Sequence, residues 1–128
     1  STLSIPDFRR ETEYIALAKP NEYALYDGDI TSTDGGTWPA SDYLKIANEF
    51  CVPHSTAKHA RHKRDSYMVG ALARFNNNPD RLTPLAARAA ERLGLKAVCY
   101  NPFMNNVAQV VESVHSRCGG GAPGSPVP

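Results

Sequence analysis

Apolar residues along the chain change their spacing, from alternation that suits strands to the three-and-four rhythm that suits helices. Residues 12–17 and 22–26 are dense in aromatic and β-branched side chains. Pro20 and Asn21 separate them, and Asp27-Gly28 is a turn signal ahead of residues 29–33. Asp34, Gly35 and Gly36 end that second arm. The punctuation predicts an N-terminal antiparallel β meander of about three strands.

From Pro39 the period becomes helical. Tyr43, Ile46, Ala47 and Phe50 fall on one face, and Pro39 suits a first helical turn. A second helix is bounded by Thr83 as N-cap, Pro84 as first residue and Gly94 as stop, with Ala86, Ala89, Ala90 and Leu93 as its buried stripe. A third starts with Asn101 and Pro102 and carries Phe103, Val107, Val110, Val111 and Val114 along one side. Between the first two, residues 54–64 read as extended or irregular, and residues 66–76 could enter a helix at Gly70. The fold class expected is α+β: the meander, then about three helices, in a single small domain.

With 128 residues the chain is long enough for one modest core. The domain is expected over residues 1–118, its folded part ending near Arg117. Residues 119–128, which hold four glycines and three prolines, are expected to be a disordered tail. The composition is 41% hydrophobic and 21% charged, with a net charge of +1, so global charge selects no partner. No apolar run approaches the roughly 18 residues of a membrane span, and the first ten residues lack the pattern of a secretory leader, so a cytoplasmic protein is expected. Cys51, Cys99 and Cys118 form no Cys-x-x-Cys pair and are expected to be reduced. Cys51 and Cys99 lie among apolar neighbours and read as small hydrophobes, and Cys118 reads as exposed.

The most distinctive chemistry lies in residues 54–64, where His54, Lys58, His59, Arg61, His62, Lys63 and Arg64 are gathered. Three readings stand. Three imidazoles could hold a metal, although no cysteine or carboxylate at helical or hairpin spacing completes the set. The cations could neutralise phosphate or nucleic acid, although aromatics are not interleaved and the rest of the chain is not basic. The plainest reading is a solvated or subunit-facing loop whose charges pair with acidic neighbours, and it is preferred. Arg74 follows an apolar run and must reach solvent or a buried acceptor; a structural salt bridge is expected. Glu11, Glu13, Asp27 and Asp29 read as exposed residues and turn formers. No Gly-x-Ser-x-Gly elbow or phosphate-binding glycine loop is present.

Six phrases, taken in order, resemble a known family: residues 7–17, 22–30, 52–58 (ValProHisSerThrAlaLys), 67–76 (TyrMetValGlyAlaLeuAlaArgPheAsn), 80–86 and 101–106. The same order occurs in nickel-iron hydrogenase large subunits, and the likeness is strongest to the cytosolic branch of sulfhydrogenases and NAD(P)-linked enzymes. Where this chain has Ala71 the family commonly has proline. The resemblance implies a parent enzyme that cleaves dihydrogen reversibly at a nickel-iron centre. It also implies the remaining large-subunit segments and an iron-sulfur small subunit as partners. The family holds its metals through two Cys-x-x-Cys motifs, and neither occurs here, so no metal ligand, cofactor-binding or catalytic residue carries over. The likeness ends at Arg117, as expected of a trimmed or split subunit or a shifted reading frame.

These observations predict an internal framework segment of such a subunit, inactive alone and prone to self-association through its Val107, Val111 and Val114 stripe. The alternative is a stand-alone module that binds an anion, a nucleic acid or a protein through residues 54–64.

Overall fold

In the computed structural model, which describes residues 4–119, the chain is built around one central strand. This strand, β1 (Glu13–Ala18), pairs antiparallel with β2 (Asp29–Ser32), placing Ile15 opposite Ser32 and Leu17 opposite Ile30. Strand β3 (Thr37–Trp38) adds to β2, and the turn through Asp34, Gly35 and Gly36 joins them. After a 3-10 turn come helix α1 (Tyr43–Ala47) and a separate two-stranded ribbon of β4 (Glu49–Phe50) and β5 (His59–Ala60). Strand β6 (Tyr67–Met68) then returns to β1 and pairs parallel with it, giving the order β3-β2-β1-β6. Helices α2 (Ala71–Asn77), α3 (Pro84–Arg92) and α4 (Asn105–Gly119) follow. The architecture is α+β in one small domain.

The meander is present, but its membership differs from the expectation. Residues 22–26 are not a strand. Tyr23 and Ala24 are consecutive and both buried, which a one-faced strand cannot arrange, and Lys19 pairs with Glu22 and Asp27 to close the segment as an irregular loop. Gly28 ends the loop at φ 138°, where an added Cβ would lie 2.7 Å from the Ala18 carbonyl oxygen. The third strand is instead Thr37–Trp38.

The first helix is shorter than its apolar spacing suggests. Pro39 precedes a 3-10 turn, and Asn48 at φ 40° ends α1 before Phe50, which enters β4. Only Ile46 and Ala47 of the expected stripe are buried in α1, and Tyr43 is exposed. Helix α2 begins after Gly70, whose φ of 98° suits glycine. Glycine has no side chain to cap the helix, so Asn105 of α4 accepts the Leu72 N–H at 3.1 Å. Around α3 the expected limits hold, with Thr83 before it and Gly94 at φ 73° after it. The Thr83 hydroxyl nevertheless makes no cap bond and is buried without a partner. Ala86 and Ala90 are buried in that helix, while Ala89 and Leu93 are half-buried.

Asn101 caps the 3-10 turn at Pro102 by accepting the Phe103 N–H. In α4 the buried side chains are Val107, Ala108 and Val111 and Val110 is exposed, while in the 3-10 turn before it Met104 is buried and Phe103 exposed. The helix runs past Arg117 to Gly119, and the expected disordered tail otherwise lies outside the described residues. Cys51 is exposed instead of serving as a small hydrophobe, and Cys99 is half-buried against the core.

Two apolar clusters flank the sheet. The larger joins Tyr14 to Leu72, Phe75, Ala86, Ala90, Val107 and Val111 beneath the helices. The smaller joins Ile15, Ile30 and Ile46, with Leu17, Trp38 and Tyr67 half-buried around it.

Candidate functional site

Alternation along β1 sends Tyr14 and Ala16 to one face of the sheet and Glu13, Ile15 and Leu17 to the other. Glu13 thus enters a buried position with zero exposure, and the reading of it as an exposed carboxylate is overturned. Its Oε1 accepts from the Ser32 hydroxyl at 2.5 Å and lies 2.6 Å from Nδ1 of His62. Its Oε2 accepts the backbone N–H groups of Lys63 (3.1 Å) and Arg64 (3.4 Å). Burial by itself would raise the Glu13 pKa. The hydrogen bonds from Ser32 and His62 outweigh it, and the carboxyl sits below its ordinary value.

The basic segment is fastened around this carboxylate. Arg64 forms a two-pronged bond to Asp34, Nε to Oδ2 at 2.5 Å and Nη2 to Oδ1 at 3.0 Å, and this guanidinium holds the Asp34 carboxyl below its usual range. Lys63 donates to the carbonyls of Asp34 and Gly35 and lies 5.6 Å from the Trp38 ring centre. Lys58 pairs with Glu49 across the β4–β5 ribbon at 3.1 Å, and Arg61 covers the Phe50 ring at 5.1 Å. The histidines divide. His54 and His59 stack edge to face on the ribbon at 5.6 Å, while His62 packs against Trp38 at 4.9 Å beside Glu13. Among the described residues no group of three or more His, Cys, Asp or Glu side chains could hold a metal ion.

Arg74 belongs to a different cluster. Its guanidinium grips Glu112 of α4 at 2.6 and 2.8 Å, and the Tyr23 hydroxyl donates to the same carboxylate at 2.9 Å. This is the expected structural salt bridge. It also locks the irregular loop of residues 19–28 onto α4. Burial, reinforced by Glu112, raises the Tyr23 pKa. His115 packs on Tyr23 at 5.0 Å and accepts the Thr83 N–H through Nδ1, and burial lowers its pKa.

The chemistry open to the Glu13 cluster is limited. An ionised carboxylate has about four acceptor positions, and here four donors approach them. The Ser32 hydroxyl donates to Glu13 and accepts the Asp34 N–H, and both Ser32 and Glu13 are buried, so no substrate reaches the pair. The arrangement anchors a loop. Glu13, Ser32, Asp34 and Glu112 were not singled out as site residues from sequence. For Glu13 a signal existed, because it shares the strand face of Ile15 and Leu17.

No family model matches the chain. Over 104 residues, 81% of its length, it is 39% identical to Sulfhydrogenase 1 subunit alpha of Pyrococcus furiosus. The chain is similar to part of a hydrogenase alpha subunit. The matched stretch is 24% of that subunit, so this chain spans about a quarter of its relative. Among the described residues, no helix is long and apolar enough to cross a membrane.

Proposed function

We propose that the chain is a framework segment of a nickel-dependent hydrogenase large subunit of the cytosolic, nucleotide-linked kind, contributing scaffold and no metal ligands. The observation that carries the reading is the 39% identity to the sulfhydrogenase alpha subunit over 104 residues. The parent reaction would be reversible oxidation of dihydrogen coupled to NAD(P) or another soluble acceptor. Remaining large-subunit segments and an iron-sulfur small subunit would be its partners. The residues present do not fit a nickel-iron centre. Such a centre needs chelating thiolate pairs, whereas Cys51 and Cys118 are exposed, Cys99 is half-buried, and they belong to no metal-capable group among the described residues. The saturated bonding of Glu13 likewise supports a structural role.

The reading is tested by replacing the matching quarter of the Pyrococcus furiosus alpha subunit with this chain. Assembly with retained hydrogen-dependent dye reduction is expected, and failure to assemble overturns the assignment. The isolated chain should hold no stoichiometric nickel and reduce no dye; nickel with activity would overturn the silent-framework part. The Val107, Val111 and Val114 stripe expected to drive self-association is instead packed into the chain's own core, so any self-association of the isolated chain would have to use the exposed Phe8, Leu85, Phe103 and Val110. A stand-alone anion-, nucleic-acid- or protein-binding module is the second reading. Lys58, Lys63 and Arg64 already have partners within the chain, which weighs against it. Salt-sensitive binding to heparin or DNA, lost on neutralising Lys58, Arg61, Lys63 and Arg64, would restore it.

A further inference from the structure

A second feature lies on the helical side of the sheet, away from the Glu13 cluster. A cavity of about 270 Å³ opens between the segment leading into β1, the β1–β6 pair and Pro102. Phe8, Met68 and Pro102 give it apolar walls, and Arg10 and Thr12 are polar residues of its lining. The neighbouring Arg9 is engaged, paired with Glu11 at 2.6 Å and lying over Tyr100. Arg10 has no carboxylate partner among the described residues. The Arg10 backbone is nevertheless fixed, because its N–H donates to the Tyr100 carbonyl at 3.0 Å. Thr12 donates its hydroxyl to Ser66 at 3.1 Å and keeps acceptor capacity. Tyr14 is fully buried at the cavity's floor, with its hydroxyl closed off from solvent.

We propose that this cavity binds a small carboxylate carried on a flat apolar body, with Arg10 receiving the charge. A guanidinium offers a planar fork matched to two carboxylate oxygens, which accounts for the head group. The apolar walls account for the body, since a bare inorganic anion would leave them facing water. The register that sets Tyr14 opposite Met68 fixes the floor, so the site is largely formed before the ligand arrives. This assignment stands or falls independently of the hydrogenase reading.

Benzoate is a suitable probe. Titration of the 15N-labelled full chain at constant ionic strength should give saturable shifts at the amides of Thr12, Tyr14 and Met68. Benzyl alcohol, the same ring without the charge, should bind at least about tenfold more weakly. Arg10→Ala should weaken benzoate by at least about tenfold, with the α4 amides unshifted as evidence of an intact fold, and Arg9→Ala should leave it unchanged. Shifts that never saturate, shifts confined to other residues, or equal benzoate affinity in Arg10→Ala would each overturn the site.

Discussion

The two faces of the sheet are held in place by different physics. On the helical face, Tyr14, Leu72, Ala86, Ala90, Ala108 and Val111 exclude water almost completely, and alanine at many contacts lets α3 and α4 approach closely. On the opposite face three isoleucines form a smaller cluster, and a buried carboxylate fastens the basic loop beside it. The first arrangement is non-directional and supplies most of the stability. The second adds little apolar burial but fixes one loop in one position, because each bond to Glu13 has a required direction.

The sharpest way to break the comparison is to weaken the helical face. Leu72→Ala removes a side chain with zero exposure and should cost about 2–5 kcal/mol in urea unfolding. Loss of structure should then be global. Glu13→Gln should cost less, about 1–3 kcal/mol, because it replaces an acceptor of four donors with one that cannot serve them all. Hydrogen exchange should rise first at residues 60–66, with the α2 and α4 amides still protected; uniform loss of protection would contradict a local anchor.

Acid should separate the regions further. The depressed pKa of His115 means that the unfolded chain takes up the proton first as pH falls, so stability is full above the ordinary value of 6.5 and declines below it. Glu13 and Asp34, also lowered, act with the same sign, and their contributions are lost as pH falls below the ordinary values of 4.5 and 3.8 respectively. Melting followed from pH 8 to pH 3 should therefore show two declines. His115→Asn, which keeps an acceptor for the Thr83 N–H but cannot titrate, should abolish only the upper one. The smallest effect is expected at the solvent-facing Lys58–Glu49 pair. Lys58→Ala should leave the unfolding midpoint unchanged, and a clear shift would mean that the ribbon matters more than its exposure suggests.

Much of the fold was legible from spacing. The limits of α3, the Gly70 entry to α2 and the Asn101–Pro102 start of the last helical stretch follow from local chemistry that survives folding. What failed was decided by distant partners. Residues 22–26 have strand composition, yet the bond from Tyr23 to Glu112, 89 residues away, draws them into a loop. Phe50 fits a helical face, yet the ribbon with β5 claims it. At the Glu13 cluster the basic residues were evident, but the acid that gathers them lies 49 residues earlier from His62, and alternation alone does not say that both faces of β1 are covered.

The parallel pairing of β1 with β6 has a consequence for how the chain is made. Thr12 and Ser66 meet across 54 residues, so β1 must wait until β6 has been made before its second edge is occupied. Loop-closure entropy opposes that step, while α3 and α4 lie close in sequence and can dock without it. The sheet should close late in folding, and until it does the β1 edge is open to pairing with a neighbouring chain.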